Sequence, residues 1–100
     1  MSAAFRLLIA DDEGDERAVL RLYAEARGDF CGIEEASNGR EAADAARIFR
    51  PDVIALDIRM PGMDGMECAR AIREFDRRAR IVFLTAFPEL DYARDAFKVR

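Results

Sequence analysis

Short apolar runs alternate with stretches of helical spacing along the whole chain. Phe5-Arg6-Leu7-Leu8-Ile9-Ala10 is a near-continuous apolar run that stops abruptly at Asp11-Asp12, the pattern of a strand buried on both faces. From Asp15 the spacing changes: Val19, Leu22, Tyr23 and Ala26 fall on one helical face, with Gly28 as the stop. Cys31 to Ala36 predicts a short second strand. Ser37-Asn38-Gly39 punctuates it, and Asn38 is placed to cap a helix carrying Ala42, Ala43, Ala46 and Phe49. Pro51 ends that helix.

Val53-Ile54-Ala55-Leu56 predicts another buried strand, terminating at Asp57, and Met60-Pro61-Gly62-Met63-Asp64-Gly65 is turn chemistry. Met66, Ala69, Ile72 and Phe75 then repeat every third position, a helical stripe. Ile81-Val82-Phe83-Leu84 predicts a last buried strand that stops at Thr85, and Leu90, Ala93, Ala96 and Phe97 suit a final helix. Strands alternating with helices of this length imply an α/β fold, a parallel sheet with helices on both faces. Right-handed crossovers leave few topologies. The flavodoxin-like three-layer α/β/α arrangement fits, with strand order 2-1-3-4-5 when complete, because the second strand is the least apolar and suits an edge. This chain supplies four of those strands, in the order 2-1-3-4, within a single domain over residues 1–100.

Composition narrows the function classes. Apolar residues make up 51% and charged residues 36% of the chain, as in soluble globular proteins. No apolar run approaches the roughly 20 residues that cross a bilayer, and the opening residues lack a basic leader and cleavage pattern. A cytoplasmic location without membrane contact is expected. The sequence has no histidine, which excludes His-dependent triads, His-ligated zinc and a self-contained His phosphodonor. A net charge of -4 argues against direct nucleic-acid binding by this segment. Cys31 and Cys68 stand apart without a CxxC and are expected to be reduced, small packing residues.

In a parallel sheet of this kind, ligands collect beyond the carboxyl ends of the strands, at the switch point between the first and third. There the first strand ends in Asp11-Asp12-Glu13, the third in Asp57 and the fourth in Thr85. A neighbouring-strand spacing of about 5 Å brings Asp11, Asp12 and Asp57 within reach of one ion. Carboxylates so close repel one another unless a cation joins them. An all-oxygen site with few protein ligands suits magnesium, which keeps several waters and accepts a phosphate. A carboxylate beside it is a competent nucleophile toward phosphorus, and the Thr85 hydroxyl could hydrogen-bond a phosphoryl oxygen. Plainer readings stand beside each residue. Asp11 and Asp12 would also suit a helix start, Asp57 a strand-end turn, and Thr85 a strand position. Pro61, Gly62 and Gly65 are structurally a turn, whose functional effect would be to hold the loop after Asp57 open. The convergence of four such residues on one sheet edge favours phosphoryl transfer.

The strings LLIADDE, ALDIRMPGMDGME and IVFLTAF resemble the acidic pair, phosphorylation loop and switch threonine of the receiver domains of bacterial response regulators, and the resemblance runs from about Arg6 to Val99. It implies that Asp57 accepts a phosphoryl group as an acyl phosphate from a sensor histidine kinase. Asp11 and Asp12 would hold Mg2+ together with Asp57, Asp12 more directly, and Arg59 would offer its backbone carbonyl. Thr85 and the backbone amide of Ala86 would contact the phosphoryl group. Such a domain is a switch and not an enzyme, beyond assisting its own phosphorylation and dephosphorylation. A phosphatase with an aspartyl-phosphate intermediate would carry an acid two residues after the nucleophile, where Arg59 stands here.

One departure concerns the end of the chain. The family pattern continues into a fifth strand, carrying a Lys-Pro pair, and a fifth helix, whereas this sequence reaches Arg100 as its fourth helix should finish. Lys98 is the sole lysine, but it sits too near Thr85 in sequence to take that role. The fourth strand is then an open apolar edge. The expectation is a piece of a longer regulator or, failing that, a chain that covers the edge by forming a homodimer or by strand exchange. The alternative is a receiver-shaped interaction module that cannot be switched by phosphate. The stretch LTAFPELDYARDAF resembles receivers joined to AraC-type or LytTR-type DNA-binding domains, implying transcription control by another part.

Overall fold

The computed structural model describes residues 5–84. Seven elements follow one another: β1 (Phe5–Ala10), α1 (Gly14–Arg27), β2 (Phe30–Ala36), α2 (Gly39–Phe49), β3 (Val53–Asp57), α3 (Gly65–Arg73) and β4 (Arg80–Leu84). The four strands form one sheet in the order β2-β1-β3-β4, and every pairing is parallel. This is the expected flavodoxin-like arrangement. The expected final helix, together with Thr85, Ala86 and Lys98, lies outside the described residues.

The alternation of side chains along β1 divides the interior in two. Leu8 and Ala10 face α2 and α3, in a cluster with Ala42, Ala46, Ile54, Leu56, Cys68 and Ile72. Leu7 and Ile9 face α1, where Ala24 is buried and Leu20, Phe30, Ile33 and Val53 pack around them. Of the stripes expected on α2 and α3, Ala42, Ala43 and Ala46 and then Ala69 and Ile72 point inward. Phe49 and Met66 are only half-buried, and the deepest positions of α3 are Gly65, Cys68 and Ile72. Phe75 lies past the end of α3, yet it packs on the same cluster, with the Arg47 guanidinium 4.3 Å from its ring centre.

Two expectations fail. Val19, Leu22 and Tyr23 were expected to form the packed face of α1, but they are 52%, 66% and 72% exposed, and Ala26 is exposed as well. The helix instead turns Leu20 and Ala24 to the sheet. The guanidinium groups of Arg17 and Arg21, on the same side, reach across to β2 and bind Glu35. A spacing argument counts arginine as outward, so it selects the wrong face when arginine stems lie along the sheet. Cys31 is likewise not a packing residue: it is exposed on the edge strand β2. Cys68 is buried, and desolvation pushes its thiol up to about 11, leaving it unreactive.

Helix ends follow local chemistry. Gly28 closes α1 in the left-handed region, with φ 75°, where only glycine is free of Cβ strain. Asn38 caps α2, its side chain accepting the Glu41 N–H at 2.8 Å. Asp64 and Glu67 form a reciprocal capping box at the start of α3, at 2.9 and 3.0 Å. That cap fixes the far end of the loop leaving β3.

Candidate functional site

Register places the acids. Ala10 pairs with Leu56 across β1 and β3, so Asp11 and Asp57, the next residues on each strand, emerge at the same level of the carboxyl edge. One carboxylate oxygen from each of Asp11, Asp12 and Asp57 lies within 4.8 Å of the other two. An all-carboxylate triplet of this kind fits a hard divalent cation, which an uncompensated cluster would otherwise have to replace with protons.

The three acids differ in their surroundings. Asp11 is 1% exposed. Its N–H donates to the Ala36 carbonyl at 3.1 Å, its Oδ1 accepts the Glu13 N–H at 3.0 Å, and its carbonyl accepts from the Arg17 guanidinium at 2.7 Å. Asp12 is exposed at the rim. Asp57 is half-buried, and its Oδ1 accepts the Arg59 N–H at 3.2 Å. Desolvation, reinforced by repulsion from Asp11 and Asp12 against that one stabilising hydrogen bond, pushes the Asp57 carboxyl up to about 6.

A cavity of about 420 Å³ opens beside Asp57, lined by Asp11, Asp15, Glu16, Val19, Leu20 and Leu84. A second, of about 470 Å³, lies on the Asp12 side against Ile58, Arg59, Met60, Pro61 and Asp64. Asp57 is therefore reachable from solvent while its backbone is tied into the sheet.

The loop after Asp57 is held at several points. Ile58 and Met60 are buried, at 2% and 6% exposure. The Ile58 N–H donates to Leu84 at 3.2 Å, and the Ile58 carbonyl accepts from Gly65 at 2.9 Å. Gly65 packs so closely that a Cβ there would lie 2.3 Å from the Asp57 carbonyl oxygen. Gly62 has φ +76° with open space around it, so its glycine serves backbone conformation alone. Pro61 is exposed at the turn.

Asp11, Asp12 and Asp57 thus come together as expected, with Arg59, Pro61, Gly62 and Gly65 on the adjoining loop. Other participants were not singled out by the sequence. Glu16, in the first turn of α1, shares a hydrogen bond with the Asp11 carboxylate; that bond and the surrounding negative charge push its carboxyl up to about 7. The signal available was an acid one helical turn beyond the strand-end pair. Gly39 is a second close approach, since a Cβ there would lie 2.2 Å from the Met63 carbonyl oxygen. Arg17 reads in the sequence as one more surface arginine.

A parallel sheet in this order, with three carboxylates at the switch point between β1 and β3, is the arrangement of a receiver domain. The chain belongs to the response regulator receiver domain family, whose sequence model matches residues 7–100. It is 41% identical over 93 residues to the transcriptional regulatory protein BtsR of Shigella flexneri, covering 93% of this chain and 38% of that protein. It is 33% identical over 91 residues to sporulation initiation phosphotransferase F of Bacillus subtilis strain 168, covering 91% of this chain and 72% of that one. Among solved structures, the CheX-CheY-BeF3-Mg complex of Borrelia burgdorferi matches with a TM-score of 0.83 and 32% identity, covering 96% of this chain and 72% of that chain. The chain spans well under half the length of the first regulators it matches. Receiver domains bind Mg2+ at an acidic pocket, and Asp11, Asp12 and Asp57 form such a cluster here. No helix among the described residues is long and apolar enough to cross a membrane.

Proposed function

We propose that Asp57 accepts a phosphoryl group in a Mg2+-dependent reaction and that the chain acts as the phosphorylation switch of a longer regulator. The observation that carries this reading is the approach of the three carboxylates within 4.8 Å, with Asp57 open to a cavity. Asp11, Asp12 and Asp57, with the backbone carbonyl of Arg59, would hold the ion. Magnesium, when bound, supplies the positive charge that offsets repulsion between a carboxylate and an incoming phosphate.

The chain's own residues supply the rest. A carboxylate oxygen of Asp57 attacks phosphorus, and the bond from phosphorus to the donor breaks, the leaving group keeping the electron pair and taking a proton from solvent. Asp57 must be ionised for this, and a carboxyl near 6 is largely ionised at neutral pH even without a cation. The anchored loop from Ile58 to Gly65 keeps Asp57 from following the phosphoryl group away from the site. Thr85 and the amide of Ala86, which follow β4 in sequence, take the roles of phosphoryl contact and switch that the family pattern gives them. A sensor histidine kinase is the donor, and the output is transcription control through a part outside these residues, a reading supported by the likeness to BtsR.

Incubation with Mg2+ and acetyl phosphate, followed by intact mass measurement, tests the proposal. One phosphoryl group should be added, removed again by hydroxylamine, and not added at all when Mg2+ is chelated before the acetyl phosphate is supplied. An adduct that persists in Asp57→Asn, or none in the parent chain, overturns it.

A further inference from the structure

Arg17 joins three parts of the molecule that the acidic site depends on. One branch of its guanidinium donates to the Asp11 carbonyl at 2.7 Å, and its Nε donates to Glu35 on β2 at 3.1 Å. Its side chain is 21% exposed, against 30% for Glu35. Arg21 occupies the other Glu35 oxygen at 2.5 Å and donates to the Ile33 carbonyl at 3.0 Å. Arg21 alone is therefore enough to tie α1 to β2. What Arg17 adds is the reach to Asp11.

That reach bears on Asp12. The Asp11 carbonyl belongs to the peptide plane linking Asp11 to Asp12, and the plane is rigid. Asp12 makes no side-chain hydrogen bond among the described residues, so its carboxylate is placed by its backbone alone. Asp11 needs no such help: its N–H and its side chain are each held separately. A planar fork with two fixed donors can set the orientation of a carbonyl, where a single-point ammonium cannot.

We infer that Arg17 is a positioning residue for the metal site, holding the Asp11–Asp12 peptide so that the Asp12 carboxylate faces Asp57. The inference rests on the proposed Mg2+ binding by Asp11, Asp12 and Asp57. It makes a prediction opposite in sign to a plain charge effect. Arg17 is a cation near a cation site, so if charge alone mattered, its removal would tighten Mg2+ binding by a small factor, about twofold at moderate ionic strength. Loss of positioning weakens binding instead, by about tenfold if it acts like other supports of metal ligands.

The test is Mg2+ titration of the full chain by calorimetry, comparing Arg17→Ala, Arg17→Lys and Asp12→Asn with the parent, alongside thermal melting without Mg2+ to verify folding. Weaker binding in both Arg17 variants, with the melting transition retained, supports the inference. Arg17→Lys keeps the charge and loses the fork, so it separates the two effects even if Arg17→Ala does not fold. Unchanged affinity in Arg17→Lys, or tighter binding in Arg17→Ala, overturns it. If the parent takes up no Mg2+, or Asp12→Asn binds as well as the parent, the metal-site reading itself fails, a result distinct from failure of the Arg17 inference.

Discussion

The two faces of the sheet are held in different ways. On one, α2 and α3 press a continuous apolar layer onto Leu8, Ala10, Ile54 and Leu56. On the other, α1 buries Ala24 over Leu7 and Ile9, and Arg17 and Arg21 grip Glu35 across the edge strand. The acidic site lies where these faces meet and borrows from both. Asp57 is anchored from the packed face, through Ile58 and the close approach of Gly65. The Asp11–Asp12 link is anchored from the ionic face, through Arg17. Packing and backbone hydrogen bonds thus hold the Asp57 half of the site, whereas a side-chain guanidinium holds the carbonyl in the other half.

The largest difference between the faces should appear on truncating a side chain in each. Ile72 on α3 is fully buried, and Ile72→Ala should cost about 2–5 kcal/mol in urea unfolding. That is a large share of the stability of so small a domain. Leu22 on α1 is 66% exposed, and Leu22→Ala should stay within about 0.5 kcal/mol of the parent. Equal losses at the two positions would refute the contrast.

Next in size are the glycines that carry the packed face into the site. Gly65→Ala places a methyl group 2.3 Å from the Asp57 carbonyl oxygen, which requires backbone displacement and should cost about 1–3 kcal/mol. Because the displaced backbone belongs to Asp57, Mg2+ affinity should fall as well. Gly62→Ala meets nothing within 4 Å but forces alanine to φ +76°, a cost of about 1–2 kcal/mol. It should leave Mg2+ affinity nearer the parent value. Calorimetric titration of both variants reads the distinction.

The same contrast explains how much was legible in advance. Packed strands and helices announce themselves by period, so the sheet order, α2 and α3 follow from Leu8, Ile54, Ala42, Ala46 and Ile72. The acids at the sheet edge are legible because each ends an apolar run. The α1 face was misread because its inward line mixes Leu20 and Ala24 with Arg17 and Arg21, whose partners on β2 are remote in sequence. The close approaches at Gly39 and Gly65 were equally hidden: a glycine in a turn gives no sign of which backbone will pass beside it. Asp64 and Glu67 carried a readable capping pattern, overshadowed by the surrounding turn residues.

Asp57 offers a test at the junction itself. Its carboxyl, at about 6 instead of its ordinary 3.8, holds a proton more tightly in the folded chain than in the unfolded one. Stability from that source is complete below about pH 3.8 and is lost as pH rises through about 6. Above that, the ionised group opposes folding in the absence of a cation. Asp57→Asn should therefore stabilise the metal-free chain at pH 7–8 by about 1 kcal/mol, allowing for solvent screening of a partly exposed group. It should give no gain near pH 4. Melting curves at the two pH values check the sign, and saturating Mg2+ should favour the parent over the variant.

The smallest effect belongs to the ionic rim, and it is the most selective for the face it comes from. Arg21→Ala removes one arm of the grip on Glu35 and should cost about 0.5 kcal/mol at low salt. Most of that should vanish near 1 M salt, where the screening length falls to about 3 Å. The hydrogen bond from Arg21, with a further one from Arg17, holds the Glu35 carboxyl below its ordinary 4.5 despite partial desolvation. A carboxyl lowered in the folded chain stabilises above its unfolded value and loses that contribution as pH falls through the folded one. The cost of Arg21→Ala should therefore also disappear in acid, starting below about pH 4.5. Ile72→Ala, by contrast, should cost nearly the same in low and high salt. A penalty for Arg21→Ala that persists unchanged at 1 M salt would mean that the packing of the arginine stem and its hydrogen bond to the Ile33 carbonyl, rather than the ion pair, hold α1. The two faces would then differ in degree only.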